Sequence, residues 1–243
     1  MSATYVLVHG GGHGGWCWQR VVPLLRAAGH EVYTPTLTGL GERSHLLRPD
    51  IDLDTHIADV VGVLRYEDLT DVILVGHSYG GMVITGVADR ALARIGQLVY
   101  LDAAHPRQGE SLADVAAAMM ESTRSELRVV DGVELVLWPD SMAVRYYGVT
   151  DPADFAWMQA KLTPHPWKCF TQPLRLMDEA AVKRIPRTNI NCTTALRMSQ
   201  GDALERQLDA QRLWEIDTGH DLMITEPRAV ADMLLRLASG AMA

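Results

Sequence analysis

The chain has 243 residues, of which 48% are hydrophobic and 21% charged, and it carries a formal net charge of −8. This length suits a single α/β domain with a full-sized core. The negative charge and the lack of a basic stripe argue against a nucleic-acid partner, and no apolar run is long enough to cross a membrane. Strand-like residues begin at Thr4, so we expect no signal segment in this sequence. The three cysteines lack metal-ligand spacing, so we expect a cytoplasmic protein with reduced thiols.

Short β-branched runs alternate with helical patterns in the first hundred residues, which predicts a parallel sheet with helices on both faces. The predicted strands are 4–8, 31–34, 71–75 and 97–101. Helices are expected over residues 17–28, over 79–92, and after the N-cap candidates Asp52 and Asp54.

The alternation stops near Pro106 and resumes near Pro186, and the residues between them show helical patterns without a clear buried parallel strand. After that segment, strands are predicted at 189–193 and 213–216 and helices at 203–210 and 226–239. We therefore predict a core domain of residues 1–105 and 187–243. Residues 106–186 are expected to form a mainly helical cap, or lid, over one edge of the sheet.

A glycine-rich turn follows the predicted strand 71–75 and reads VGHSYGG over residues 75–81. It fits G-x-S-x-G between a strand and a helix, the pattern of a nucleophile elbow, in which flanking glycines allow a serine to occupy a strained turn. The alternative, a glycine-rich turn with an incidental serine, is disfavoured by this strand–helix context. We predict that Ser78 is a nucleophile.

A second glycine-rich run, HGGGHGGW over residues 9–16, follows the first strand. Acyl transfer needs two backbone N–H groups directed at the developing oxyanion. We expect them from Gly11 in this loop and from Tyr79, the residue after the nucleophile. The run also contains the G-x-G-x-x-G of dinucleotide-binding loops, but no acidic residue ends a following strand about 20 residues later. Together with the elbow, the loop favours an oxyanion hole.

The general base is expected among the nine histidines. His220 lies just past the last predicted strand, in TGHDLM (218–223), and follows the nucleophile in the chain order that α/β hydrolases use. We predict His220 as the base. His9 and His13 are expected to support the glycine-rich loop, and His77 the elbow.

With these elements in place, the chain resembles a small bacterial member of the methylesterase and hydroxynitrile lyase branch of the α/β hydrolases. The resemblance covers nearly the full length. It implies the α/β-hydrolase fold. The segments that carry it are VLVHGGGHGGWCW (6–18), TPTLTGLGERSHL (34–46), VGHSYGG (75–81), VYLDAAHP (99–106), LTPHPWKCFTQPLRL (162–176), IPRTNINCT (185–193) and DTGHDLM (217–223).

One departure from this branch concerns lyase chemistry. Hydroxynitrile lyases resembling this group carry a threonine after the first strand's histidine and a lysine after the catalytic histidine. Here these positions hold Gly10 and Asp221. Because that lysine stabilises cyanide as it leaves, its replacement favours ester hydrolysis.

A second departure concerns the acid of the catalytic triad. In this branch an aspartate follows a strand in a run similar to C-T-x-D, where this chain has CTTA and ends on Ala195. Asp202 lies beyond the expected turn, Asp217 lies at the end of the last strand, and Asp221 is poorly placed to reach its neighbour's Nδ1. Asp102 follows the strand 97–101, a position that some α/β hydrolases use. We predict Asp102 as the acid, the alternative being an aspartate that caps a loop.

The predicted cap holds many methionine and aromatic side chains, which favours an apolar pocket, although a small lid also needs a core of its own. We predict a serine esterase that cleaves carboxylic esters of hydrophobic or aromatic small molecules through an acyl-enzyme, without a metal or organic cofactor. The alternatives are a lyase on the same scaffold and, because of Ala195, a non-catalytic small-molecule-binding homologue.

Overall fold

The computed structural model describes residues 2–239. Its strands are β1 Thr4–Val8, β2 Glu31–Tyr33, β3 Val72–His77, β4 Ile95–Leu101, β5 Arg128–Val130, β6 Val133–Val136, β7 His165–Pro166, β8 Arg187–Cys192 and β9 Arg212–Ile216. Its α-helices are α1 Val22–Ala27, α2 Leu53–Tyr66, α3 Gly80–Arg90, α4 Leu112–Val115, α5 Ala117–Arg124, α6 Pro152–Gln159, α7 Lys168–Thr171, α8 Glu179–Lys183, α9 Thr193–Met198, α10 Gly201–Leu208, α11 Leu222–Thr225 and α12 Pro227–Ala238. Short 3₁₀ helices span Gly15–Trp18, Gly41–Leu46, Leu92–Arg94 and Met142–Tyr147. None of the helices in this part of the chain is both long and apolar enough to span a bilayer.

The centre of the fold is a six-stranded sheet in the order β2-β1-β3-β4-β8-β9, and each pair of neighbours is parallel. All six residues of β3 are buried, as a continuous apolar run in a central parallel strand predicts. The carboxyl ends of such strands meet at one edge of the sheet, where ligand sites of open α/β folds form. The predicted parallel sheet is confirmed.

Helices cover both faces of this sheet because the strand residues alternate between two apolar cores. Val6 and Val8 of β1 pack in the core that includes α2 and α3. Tyr5 and Leu7, between them in sequence, pack in the core that includes α1 and α12. A strand buried on both faces needs apolar residues at nearly every position, and the sequence of β1 has this pattern.

The segment of residues 106–186 contains the expected helices and also a small antiparallel sheet, β5-β6-β7, which we did not predict. Its first hairpin turns at Asp131 and Gly132, whose φ angles are +50° and +78°. An Asp-Gly pair with positive φ at both positions is a strong hairpin signal, since its twist matches that of the flanking strands. The strands have only two to four residues each, too short for an alternating pattern to identify them.

The helix predicted over residues 17–28 is divided into the 3₁₀ helix Gly15–Trp18 and α1. Pro23 lies in the first turn of α1, where a missing N–H costs no hydrogen bond, whereas inside a longer helix the proline ring would clash. The helix expected after Asp52 does begin there. Asp52 caps α2 by accepting a hydrogen bond from the Thr55 N–H at 3.0 Å.

Candidate active site

Ser78 lies in the turn between β3 and α3, and its backbone adopts a φ of +54°. This left-handed conformation is unfavourable for a residue with a side chain, so the turn must be held by its surroundings. A Cβ on Gly76 would lie 2.6 Å from the carbonyl oxygen of Gly80, and a Cβ on Gly80 would lie 2.8 Å from that of Val8. Only glycine permits this close backbone packing, which keeps Ser78 at the carboxyl end of the central strand.

His220 lies in the loop between β9 and α11 and is 8% exposed. Its Nδ1 is 2.5 Å from Oδ2 of Asp102, and its backbone carbonyl accepts a hydrogen bond from Nε2 of His77 at 2.9 Å. Burial acts to lower the pKa of His220, but the hydrogen bond and charge of Asp102 outweigh burial and raise it. Because Nδ1 is occupied, Nε2 is the nitrogen left for a substrate or nucleophile.

Asp102 directly follows β4 and has a φ of +45°. Besides the His220 contact, its Oδ1 accepts a hydrogen bond from the Cys192 N–H at 3.1 Å, and its Oδ2 lies 3.2 Å from the Cys192 Sγ. Burial acts to raise the pKa of Asp102, but the hydrogen bonds from His220 and Cys192 outweigh burial and lower it. The carboxylate is therefore ionised at neutral pH and held at both oxygens.

The other aspartates considered as replacements have different partners. Asp202 pairs with arginine side chains, Asp217 accepts a hydrogen bond from a threonine hydroxyl, and Asp221 pairs with a buried histidine. Within residues 2–239, Asp102 is the only carboxylate hydrogen-bonded to the His220 ring.

Gly11 and Tyr79 line one cavity together with the predicted nucleophile. Neither backbone N–H donates a hydrogen bond to another group of the described chain. The Gly10 carbonyl, which belongs to the same peptide unit as the Gly11 N–H, accepts a hydrogen bond from Nδ1 of His9 at 2.8 Å. Two N–H groups are therefore free to bind an oxygen atom of a ligand.

A comparison with protein families matches residues 5–233 to the alpha/beta hydrolase family. The chain belongs to this family. It is 38% identical over 246 residues to the carbendazim hydrolyzing esterase of Nocardioides sp. (strain SG-4G), an alignment that covers 97% of this chain and 99% of that protein. It is 27% identical to an esterase of Oryza sativa subsp. japonica, with 97% of this chain and 95% of that protein covered. The crystal structure of a methylesterase from Arabidopsis is similar at a TM-score of 0.75 and 26% identity, covering 98% of this chain and 100% of that one.

These similarities confirm two predictions, the α/β-hydrolase fold and an esterase on that fold. The identity of the residues that carry the reaction, the serine mechanism and the substrate class stay predictions.

Two adjoining cavities in this α/β hydrolase share Ser78 and His220. The larger, of about 500 Å³, is lined by Leu137, Phe170 and other apolar side chains, and we name it the Phe170 cavity. The smaller, of about 360 Å³, extends past Ala195 toward polar side chains of α10, and we name it the Ala195 cavity. The methyl group of Ala195 thus forms part of the cavity wall, at the position where the resemblance described above implies an acid.

The segment 106–186 contacts the loop of His220 through consecutive residues that include Tyr147 and Gly148. The Tyr147 carbonyl accepts a hydrogen bond from the Asp221 N–H at 2.9 Å, and the Tyr147 hydroxyl donates to the Gly11 carbonyl at 3.1 Å. A Cβ on Gly148 would lie 2.6 Å from the Cα of Gly219. Backbone therefore packs directly on backbone between this segment and the loop before His220.

Three buried groups near Tyr79, namely His56, His165 and Cys169, place ligand-type atoms within 4.8 Å of one another. Both ring nitrogens of His56 already have partners, since Nε2 lies 2.9 Å from the Thr38 carbonyl and Nδ1 lies 3.0 Å from the Tyr79 hydroxyl. These hydrogen bonds indicate that His56 supports Tyr79, the residue after Ser78.

Three residues at the site were not foreseen from the sequence as partners of the predicted residues. They are Cys192, whose thiol contacts Asp102, Tyr147, which donates a hydrogen bond to the glycine-rich loop, and Asp221, which pairs with His13. For Cys192 a signal existed, because the CTTA run places it at the end of a strand adjacent to the one before Asp102. Tyr147 and His13 reach their partners across long sequence separations that no local pattern encodes.

Proposed function

We propose that this α/β hydrolase is a serine esterase that cleaves carboxylic esters of hydrophobic or aromatic small molecules through an acyl-enzyme. One observation supports this proposal more strongly than any other. The His220 ring contacts the ionised Asp102 through Nδ1 and lines the same cavities as Ser78. An aspartate on Nδ1 fixes the tautomer that leaves Nε2 able to accept a proton, which is what a general base for serine needs.

In the acylation step, Ser78 Oγ attacks the ester carbonyl carbon while His220 Nε2 takes the hydroxyl proton. The carbonyl oxygen becomes an oxyanion, which the N–H groups of Gly11 and Tyr79 bind. When the tetrahedral intermediate collapses, the bond to the alkoxy oxygen breaks and His220 returns the proton to the leaving alcohol. The acyl group is then bonded to Ser78.

In the deacylation step, water replaces the alcohol. His220 takes a proton from the water as its oxygen attacks the acyl carbon, and the same two N–H groups bind the oxyanion. Collapse of this intermediate returns the proton to Ser78 Oγ and releases the carboxylic acid. Asp102 stays ionised throughout and stabilises the imidazolium that forms on His220. The scheme needs no metal ion or organic cofactor.

The cavities support a hydrophobic or aromatic substrate. We assign residues 106–186 as the cap over a core of residues 1–105 and 187–243, because side chains of this segment line both cavities beside Ser78. Phe170, Leu137 and Met120 give the Phe170 cavity an apolar wall suited to a flat or aliphatic group. The relative named for carbendazim hydrolysis makes carbendazim a rational member of the substrate panel.

The two alternatives have less support. The binder hypothesis depended on the loss of the acid at Ala195, whereas His220 has an aspartate partner in Asp102. A lyase like the hydroxynitrile lyases that this chain resembles needs a cation beside the base. Asp221 is instead an anion, and it lines neither cavity. Ester hydrolysis therefore accounts for more of the site.

The proposal is tested with a fluorophosphonate probe, which reacts with activated serines. We expect peptide mapping to find the label on Ser78 and Ser78→Ala to abolish both labelling and hydrolysis of p-nitrophenyl acetate. Ser199→Ala is the matched control, since Ser199 lines the Ala195 cavity but does not lie on the elbow. Labelling elsewhere, or a folded wild-type protein that neither reacts nor hydrolyses any ester, would leave the binder hypothesis.

A panel of alkyl esters, aryl esters, carbendazim and mandelonitrile then defines the substrate class. We expect turnover of esters with an apolar or aromatic group and no release of cyanide from mandelonitrile above the rate in buffer. Enzymatic cyanide release without ester cleavage would favour the lyase.

A further inference from the structure

Asp221 directly follows His220, yet its side chain is completely buried and lines neither cavity. Its Oδ2 lies 3.0 Å from Nε2 of His13, whose side chain is also completely buried. A buried carboxylate is very unfavourable unless it is paired and hydrogen-bonded. The protonation state of His13 therefore decides whether this arrangement is stable.

The hydrogen-bond partners of the two ring nitrogens bear on that state. Nδ1 of His13 lies 2.8 Å from the Gly11 carbonyl oxygen, which can only accept, so Nδ1 must carry a proton. Nε2 faces a carboxylate oxygen of Asp221. Burial acts to raise the pKa of Asp221, but the charge and hydrogen bond of His13 outweigh burial and lower it. A carboxylate oxygen that accepts a hydrogen bond from Nε2 requires a proton on that nitrogen as well, and with both nitrogens protonated the ring is an imidazolium.

Apart from His220, whose charge also acts to lower the pKa of Asp221, the titratable groups around the pair are uncharged. His77 has its Nε2 3.6 Å from Oδ1 of Asp221, but burial lowers the pKa of His77 to about 3, so this ring is neutral. Burial likewise lowers the pKa of His9 to about 3. Burial raises the pKa values of Tyr147 and Cys17, which keeps both protonated and uncharged.

We propose that His13 and Asp221 form a buried imidazolium–carboxylate pair that positions the Gly11 N–H group for the oxyanion, an inference that rests on the esterase mechanism above. Neither side chain touches the substrate, so both are positioning residues. The Gly11 carbonyl receives one hydrogen bond from His13 and a second from the Tyr147 hydroxyl at 3.1 Å. A donor with a full charge forms the stronger type of hydrogen bond.

The loop needs such an anchor because it is made largely of glycine. Gly12, next to Gly11, has a φ of +74°, and glycine in this region has many competing conformations. The His13 and Tyr147 contacts fix the peptide unit after Gly11, while the His9 contact fixes the unit before it. The Gly11 N–H is thus held from both sides before the substrate arrives. Asp221 connects this anchor to the loop of the general base.

The proton count is tested directly in the wild-type protein. With ¹⁵N-labelled histidine, long-range proton–nitrogen NMR spectra distinguish an imidazolium, in which both ring nitrogens carry protons, from a neutral ring. We expect the imidazolium signature for His13 in the folded protein, assigned by its loss in His13→Gln. A neutral His13 ring in the wild-type spectrum overturns the proposal, whatever the variants do.

The positioning role is tested with Asp221→Asn, which keeps the shape and offers its amide N–H to a neutral Nε2. We expect the imidazolium signature to disappear and kcat to fall by about tenfold to a hundredfold, less than the complete loss of an oxyanion donor. KM should change little. Affinity for an arylboronic acid, which forms a tetrahedral adduct with Ser78, should fall by the same factor as kcat. A purely structural role would not link these two quantities.

Asp217→Asn is the matched control, because Asp217 lies four residues earlier and its side chain is 83% exposed. It should leave kcat and boronate affinity unchanged. His13→Gln combined with Asp221→Asn should lose no more than the larger single effect, since the two residues act through one contact. Additive losses overturn the proposal. If the wild-type protein hydrolyses no ester, the esterase proposal fails instead, and the NMR result still decides the ion pair.

Discussion

Two buried histidine–aspartate pairs lie side by side in this protein, and they differ in what the second ring nitrogen does. His220 contacts Asp102 through Nδ1 and has Nε2 left over beside a cavity. His13 contacts Asp221 through Nε2 and uses Nδ1 to bind the Gly11 carbonyl. The first ring can accept a proton, whereas the second has none of its nitrogens free.

The difference shows that an aspartate partner does not by itself make a histidine a base. Asp102 raises the pKa of His220, whose Nε2 is left to exchange a proton in the proposed mechanism. At His13 the same chemistry produces a fixed charge and a rigid loop. Substitutions at the two aspartates should therefore have effects of different size and kind.

The largest effect is expected from Asp102→Asn. The amide N–H group would face Nδ1 of His220 and favour the tautomer with its proton on Nε2, which cannot take the Ser78 proton. We expect kcat to fall by about 10⁴-fold, the loss known for the corresponding change in the serine-protease triad. Steady-state kinetics of p-nitrophenyl ester hydrolysis measure it, with thermal unfolding to check the fold.

Ala195→Asp is the companion substitution, since it restores a carboxylate where the resembling branch has one. In the wild-type background it should add little, because Nδ1 already has a partner in Asp102. In the Asp102→Asn background it should recover part of the lost activity. A folded Asp102→Asn protein with unchanged kcat, together with a strong gain from Ala195→Asp alone, would show that Asp102 only caps its loop.

The pH dependence gives a second, smaller effect. Because Asp102 raises the pKa of His220, the acid limb of kcat/KM should lie above the ordinary histidine value of about 6.5. Activity is lost as pH falls through that pKa, since a protonated base cannot accept a proton. Residual activity of Asp102→Asn should show its acid limb at lower pH, because burial then acts without the opposing charge. An unshifted limb in both proteins would contradict the pairing.

The smallest effect is expected at Cys192, which supports Asp102. Burial and the nearby Asp102 raise the pKa of the Cys192 thiol to about 12, so the thiol stays protonated and can donate. Cys192→Ala removes that donor and also the acceptor of the Ala195 N–H, and kcat should fall by roughly tenfold or less. Cys192→Ser keeps a donor and should retain most of the activity. Equal losses in both variants would point to packing rather than to the hydrogen bond.

The parts of the site that the sequence predicts are those with a local pattern. The elbow of Ser78 is recognisable because its glycines, strand and helix are contiguous. His220 was selected from nine histidines by its place after a strand, and Asp102 by the same kind of placement on another strand. The pairing of His13 with Asp221 was not predicted, because the two residues are 208 positions apart and pair only through the completed fold.

The same distinction holds for the fold. The central strands β1 and β3 were predicted because each carries a nearly continuous apolar run, which reflects burial on both faces. The break near Pro23 and the sheet β5-β6-β7 were not predicted. In both cases the local signal was present, a proline inside a helical pattern and an Asp-Gly pair between valines. At Pro23 the longer apolar pattern outweighed the proline signal. In the sheet β5-β6-β7 the strands were too short for the Asp-Gly turn to be recognised.

The backbone contact between Gly148 and Gly219 limits how this enzyme can admit its substrate. Because no side chain separates the two backbone segments there, any movement of Gly148 away from the His220 loop would have to break this packing. Side chains of α4 and α5 line both cavities, so a small displacement of these helices would change the space beside Ser78. Smaller side chains within residues 112–124 should therefore enlarge the cavities, whereas a side chain at Gly148 would collide with the backbone of Gly219.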